Sequence, residues 1–289
     1  MGRVTQRGRV TRFRLDGTVS RRDDVLAGEE PLEIRVMGKS FTVTMRTPGD
    51  DFDLVAGFLV SEGVIWDPAQ LISLRYCAGV DDDGKQTFNV VDVQLRPGTP
   101  LPDTGMERHV YTSSSCGICG TASIEAVRKS SHFDPSSDAV RLPLDMLAAL
   151  PDRLREGQKV FDRTGGVHAA GLFNADGELL CLREDVGRHN AVDKVVGWAL
   201  RAGMLPLRGM VLQVSGRASF ELVQKAQLAG IPVLAAVSAP SALSVDLAKD
   251  AGLTLIGFSR GTSLNCYSAP ERILAAAPAP VQPQLSAGA

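Results

Sequence analysis

The sequence predicts an α/β fold, parallel strands covered by helices, with a smaller α+β part ahead of it. Between residues 166 and 258, apolar strand-length runs alternate with helix-length segments, the rhythm of parallel strands joined by helical crossovers. Residues 32–95 read instead as short alternating strands around one helix. The chain of 289 residues is 44% hydrophobic and 22% charged, as expected of a globular protein with a sizeable core. Its length exceeds an average domain of ~150 residues, so one large or two moderate domains are expected.

The elements follow in chain order. Residues 1–30 are polar and Arg-rich and read as a mobile basic arm leading into a first strand. Leu32, Ile34 and Val36 alternate, then Phe41, Val43 and Met45 after Met37-Gly38-Lys39, which predicts a hairpin. Asp50 or Asp51 is placed to cap a helix over 52–62, with Gly63 just past its end. Strands over 71–77 and 87–95 flank the turn Asp81-Asp82-Asp83-Gly84, and a Pro/Gly-rich break then leads to a strand over 109–112. In the second half, strands are expected over 166–173, 178–182, 209–215, 232–238 and 253–258, and helices over 189–202, 219–229 and 241–251. The resulting division is an arm (1–30), a smaller N-terminal α+β domain (31–106), an α/β core (107–274) and a disordered Ala/Pro tail (275–289).

Charge and composition exclude several function classes. A net charge of −2 gives no general attraction to nucleic acid or an anionic membrane. No run approaches the ~20 apolar residues of a membrane helix. The arginines at the start are followed by no apolar stretch, so no signal peptide is expected, and Arg21-Arg22 is followed by Asp23 and Asp24. Five cysteines, with one close pair, do not make a disulfide framework. A cytoplasmic location follows as the expectation.

The close pair is the first candidate site. In Ser115-Cys116-Gly117-Ile118-Cys119-Gly120, two cysteines three apart meet on one side of a turn, and the glycines let the backbone bend there. If a helix starts at Gly120, its N-terminal amides lower a nearby thiol pKa, and a thiolate is the species that attacks a persulfide donor. Three readings stay open at this point: a sulfur-carrying nucleophile, thioredoxin-like redox exchange, and structural zinc. Zinc needs four ligands and no second close Cys/His pair is present. The redox motif normally follows a first strand near the chain start.

The second candidate is a set of strand-to-loop junctions. Ser215-Gly216-Arg217-Ala218-Ser219 ends one strand and opens a helix, where free amides favour an anion. Phe258, Ser259, Arg260, Gly261, Thr262 and Ser263 follow the last strand and supply an aromatic face, a guanidinium and hydroxyls. Arg188-His189-Asn190 opens another helix after Glu184-Asp185. Singly, each reads more readily as an ordinary capping turn, but parallel strands would bring them to one sheet edge, where α/β proteins bind ligands, and their number there favours a ligand site. Gly165-Gly166-Val167-His168-Ala169-Ala170, taken with the Cys pair, resembles zinc deaminase ligands. The proton-moving glutamate is replaced by Ala170, however, and the Cys/His order is reversed, so deamination is not expected.

These segments, with the long block Arg183-Glu184-Asp185-Val186-Gly187-Arg188-His189-Asn190-Ala191-Val192-Asp193-Lys194 and Gly257-Phe258-Ser259-Arg260, occur in an order that resembles the FdhD family, sulfur carriers serving formate dehydrogenase. The match runs from about Leu32 to about Ile273. The resemblance implies a three-layer α/β/α cytidine-deaminase-like core without zinc chemistry, a smaller N-terminal domain and a homodimer. It implies a sulfurtransferase whose Cys116 is loaded as a persulfide by a cysteine desulfurase, with Cys119 assisting, and no bound metal. The acceptor would be the molybdenum bis(molybdopterin guanine dinucleotide) cofactor bound for the formate dehydrogenase catalytic subunit. Residues Phe258, Ser259, Arg260, Gly261, Thr262 and Ser263 would contact it, with GDP as a fragment ligand.

Overall fold

The computed structural model describes residues 2–77, 79, 87–100 and 129–275. The Asp81-Asp82-Asp83-Gly84 turn, the strand expected over 109–112, the Cys116–Cys119 segment and the tail beyond Ala275 lie outside the described residues.

The first thirty residues do not run as an arm into a first strand. They form an antiparallel hairpin, β1 (Thr5–Phe13) and β2 (Val19–Ala27), from Thr5 opposite Ala27 to Phe13 opposite Val19. Polar residues occupy both faces of this solvated ribbon, so the alternation that marks a half-buried strand is absent. Next come β3 (Glu30–Val36) and β4 (Lys39–Arg46), joined through Met37 and Gly38, both at positive φ, the tight turn that suits a hairpin. With β5 (Leu71–Tyr76) and β6 (Val90–Leu95) they make a four-stranded sheet in the order β4-β3-β6-β5.

Helix α1 (Asp51–Ser61) follows β4. Neither aspartate caps it as expected. Asp50 sits at the N-cap in left-handed conformation without a side-chain cap bond. Asp51 is paired at 3.0 Å with the fully buried Arg46. A two-residue strand, β7 (Leu142–Pro143), and two helices that were not expected, α2 (Leu144–Glu156) and α3 (Lys159–Thr164), precede the main sheet. Pro151 lies inside α2 and Pro143 at its N-cap, and proline in an apolar run reads as a break. Yet Leu147, Leu150 and Leu154 line one buried face.

The strands β8 (His168–Phe173), β9 (Leu179–Asp185), β10 (Val211–Val214), β11 (Val233–Ala236), β12 (Thr254–Arg260) and β13 (Ser263–Ser268) form a six-stranded sheet ordered β13-β12-β11-β10-β8-β9. The expected parallel core is present as β10, β11 and β12, whereas β8, β9 and β13 join by antiparallel pairing. Helices α4 (Arg188–Arg201), α5 (Phe220–Leu228) and α6 (Ala242–Asp250) connect them. Ala169, Phe173, Val211, Val233, Ala235 and Ile256 pack with the leucines of α2. The alternate residues Ala170, Leu172, Leu212, Val214, Leu234 and Leu255 pack with α4 and α5. Both faces of the sheet are therefore covered by helices.

The two parts expected from sequence share one core. Leu32, Ile34, Val91 and Val93 of the small sheet, Leu54 and Leu59 of α1 and Val192 and Val195 of α4 belong to one buried cluster. Helices α1 and α4 cross so closely that a Cβ on Gly57 would overlap the carbonyl of Asp193, and one on Gly197 that of Asp53. Only glycine allows that approach.

Candidate functional site

Because β9 is antiparallel to β8, and β8 to β10, the carboxyl ends of β9, β10, β11 and β12 point the same way. A cleft of about 690 Å³ opens along that edge. Gly165, Gly166, Val167 and His168 enter it ahead of β8, Val186 follows β9, Ser215 follows β10, Val237 follows β11, and Ser259, Arg260 and Gly261 close it at β12. The facing wall is α2 and α3, with Leu154, Arg155 and Phe161. Two of the junctions singled out in the sequence thus meet, through Ser215 and through Ser259, Arg260 and Gly261, as expected of the carboxyl edge of an α/β sheet, whereas Arg188, His189 and Asn190 are not among the lining residues.

The end of β12 differs from the expected loop. The strand continues to Arg260 and returns as β13 through Gly261 and Thr262, with a register break between Gly257 and Arg260. Phe258 adopts positive φ at that bulge and is 40% exposed, while the next residue, Ser259, is fully buried. Bulges re-aim side chains in this way. Ser259 lines the cleft, and its hydroxyl is buried without a hydrogen-bond partner, an arrangement that carries a cost. The Arg260 Nε donates to the Val237 carbonyl at 3.2 Å. Of the six residues expected to contact a nucleotide, Ser259, Arg260 and Gly261 line the cleft; Phe258, Thr262 and Ser263 are exposed beside it and are not among its lining residues.

His168 is half-buried, and desolvation, aided by the charges of Arg188 and His189, pushes its pKa below the ordinary imidazole value. His189 is buried, its Nε2 3.3 Å from the Ser219 hydroxyl and its Nδ1 unpartnered. Burial pushes it down as well. Both rings are therefore neutral at pH 7. The Ser215 hydroxyl, in the junction whose free amides were expected to favour an anion, accepts from Ala169 N at 2.9 Å.

The block 183–194 is mostly a joint and not a ligand surface. Arg183 pairs with Asp53 of α1 at 2.9 Å. The Glu184 carboxylate accepts from Val160 N and Phe161 N, both at 2.8 Å, and so caps the short helix that carries Phe161 into the cleft. Asp185, fully buried, accepts from Gly187 N at 2.8 Å, Asn190 Nδ2 at 3.0 Å and Thr47 N at 3.1 Å, and pairs with Lys194 at 2.8 Å. Val186 N donates to the Thr47 hydroxyl at 3.1 Å. Consecutive residues thus position both walls of the cleft and tie them to the N-terminal sheet. Sequence reasoning missed Phe161, Arg155 and the role of Glu184. The leucine spacing of 144–154 was the available signal for that wall.

The Cys116 and Cys119 pair lies outside the described residues. Among the described cysteines, burial pushes Cys181 up to about 12 and raises Cys266, whose thiol donates to the Ser268 carbonyl at 3.2 Å. Both are protonated at neutral pH.

The FdhD/NarQ family model matches residues 27–274. A protein of Streptomyces avermitilis named sulfur carrier protein FdhD is 62% identical over 274 residues, covering 94% of this chain and 97% of that protein. One of the same name from Mycobacterium tuberculosis is 54% identical over 276 residues, covering 94% of this chain and all of that protein. The crystal structure of a protein of Desulfotalea psychrophila described as a formate dehydrogenase accessory protein superposes with a TM-score of 0.72 at 26% identity, covering 94% of this chain and all of that one. With its sequence matched along nearly its whole length and its fold matched as well, the chain belongs to the FdhD/NarQ family.

Proposed function

We propose that this protein is a cysteine-persulfide sulfurtransferase of molybdenum cofactor maturation. It accepts sulfur from a cysteine desulfurase on Cys116 and passes it to the molybdenum bis(molybdopterin guanine dinucleotide) cofactor before that cofactor enters formate dehydrogenase. The carrier role is supported by relatives named for it that match along nearly the whole chain. The observation that carries the cofactor end is the buried, unpartnered hydroxyl of Ser259, a residue that lines the cleft. The cofactor is the substrate, and the lining fits its guanine end. Phe161 offers an aromatic surface, with the Arg155 guanidinium 4.8 Å above its ring. Ser259 offers a hydrogen bond, and Arg260 a charge near the phosphates. The core is read as cytidine-deaminase-like, and the protein as a cytoplasmic homodimer.

The sulfur chemistry balances without a resident metal. In loading, the Cys116 thiolate attacks the outer sulfur of the desulfurase persulfide; a new S–S bond forms as the donor cysteine leaves as thiolate. In delivery, the Cys119 thiolate attacks the inner sulfur and expels the outer one as hydrosulfide toward the molybdenum. That leaves a Cys116–Cys119 disulfide, which a dithiol reductant reopens. The protonated Cys181 and Cys266 take no part.

Intact mass after incubation with a desulfurase and cysteine tests the proposal. One reducible sulfur is expected on the wild type and none on Cys116→Ala, which should also fail to mature formate dehydrogenase while Cys181→Ser still does so. Maturation by Cys116→Ala would overturn the persulfide assignment.

A further inference from the structure

The β1–β2 hairpin has no part in the function proposed so far, and most of it precedes the family match, which begins at residue 27. It is a ribbon of two nine-residue strands, paired along their whole length, roughly 27 Å long at ~3.4 Å per residue. A lone two-stranded ribbon is marginally stable in water. Yet this one leaves Phe13 75% exposed, Leu15 fully exposed and Val19 57% exposed at its tip.

Its base is fixed beside the cleft. Strand β2 packs on α3, the Thr5 hydroxyl accepts from Arg163 at 3.2 Å, and Ala27 lies against Gly166, a cleft-lining residue. Thr5 and Ala27 are opposite each other, so they share one face of the ribbon. Following that face outward gives Arg7 with Val25, Arg9 with Asp23, Thr11 with Arg21, and finally Phe13 with Val19. One continuous surface thus runs from the cleft wall through a basic middle to an apolar tip.

The charge selects the partner. Residues 5–27 hold six arginines against three aspartates, in a chain whose net charge is −2. No lysine occurs before Lys39. Arginine beside exposed aromatic and aliphatic side chains is the composition of protein interfaces, where Arg and aromatic anchors dominate the energy. A nucleic-acid surface would not set Asp23 across from Arg9 on the working face, nor pair Arg22 with Asp24 at 3.5 Å. One face of the ribbon covers about 270 Å² (about 27 by 10 Å), well under the ~800 Å² per partner of a stable complex. The contact is therefore weak, transient and salt-sensitive.

We infer that the hairpin is the docking element for an acidic protein surface, and that its partner is the protein that takes over the cleft's cargo. The identity of that partner as the formate dehydrogenase catalytic subunit rests on the proposed function; the hairpin's role as a protein-docking surface does not.

The test uses the full chain and the cofactor-free formate dehydrogenase catalytic subunit of the same organism, with affinity measured at low and at moderate salt. Wild type should bind more weakly as salt rises. Arg7→Glu combined with Arg9→Glu, and separately Phe13→Ser, should each weaken binding at least tenfold, while Arg7→Lys with Arg9→Lys retains most of it. Persulfide loading and GDP affinity should stay at wild-type values in all of them, since these side chains are exposed and off the cleft. Unchanged affinity for the subunit in the charge-reversed and Phe13→Ser proteins would overturn the inference. So would hairpin variants that alter only the mass in light scattering, or only binding to duplex DNA. A wild type that binds GDP and loads sulfur but ignores the subunit refutes the docking role alone. Hairpin-dependent binding without GDP affinity refutes the cleft reading alone.

Discussion

Replacing Lys194 by methionine tests whether the joint behind the cleft is held by charge. The residue is 1% exposed; its ammonium lies 2.8 Å from Asp185 and donates to the Thr47 carbonyl at 2.9 Å. Methionine keeps most of the stem and deletes the charge. Asp185, fully buried, then keeps its hydrogen bonds from Gly187, Asn190 and Thr47 but has no counter-ion. Removing one partner of a buried pair costs roughly 3–5 kcal/mol, because the other charge is stranded. At ~2–4 °C per kcal/mol for a large domain, the melting temperature should fall by about 6–20 °C. Adding Asp185→Asn removes the stranded charge and should recover at least ~1–2 kcal/mol, a coupling that a double-mutant cycle in urea reads directly. GDP affinity should fall in the single variant, because the turn through Val186 loses its anchor. A single variant within ~1 kcal/mol of wild type, or a double variant at the sum of the two singles, would refute the reasoning.

Arg260→Ala should weaken GDP binding roughly tenfold or more, the loss of a charge-assisted contact of ~1.5–3 kcal/mol, with persulfide loading intact; calorimetry paired with intact mass checks both. Glu184→Ala leaves the first amides of α3 uncapped and should cost ~1 kcal/mol, with a several-fold loss of GDP affinity that Glu184→Gln partly restores. Gly57→Ala forces a Cβ into the Asp193 carbonyl and should cost at least ~2–3 kcal/mol as the helices part, read by thermal unfolding. His168 and His189 are both held below their ordinary value of 6.5, chiefly by burial. Arg188 opposes charging of both, Lys225 opposes it and Glu221 favours it at His189, and Asp185 favours it at His168. The unfolded chain then binds more protons just below 6.5, so their contribution is complete above that pH and is lost as pH falls below it. His189→Gln should flatten the stability profile between about pH 7 and 5.

Local chemistry was enough to read most of the second half. Period-2 and period-3.6 patterns gave its strands and helices to within a few residues, and the turn residues gave the Met37-Gly38 hairpin. Proline hid α2, and a ribbon wetted on both faces hid β1 and β2. The motif Cys116-Gly117-Ile118-Cys119 and the block 183–194 were legible as a family pattern without any structure.

By itself, then, the sequence determined the types of most elements between residues 166 and 258, the candidate junctions and the family, because each is encoded in neighbouring residues. The tertiary structure decided what depends on strand order and burial. The antiparallel insertion of β8 brings β9 to the same rim as β10 to β12. A bulge turns Ser259 inward and Phe258 outward. Glu184, which reads as an ordinary charged residue beside Asp185, becomes the cap of a helix whose first amides lie 23 and 24 residues earlier in the chain. A side chain's task is set by which distant backbone groups folding leaves unpaired beside it, and no local pattern records that.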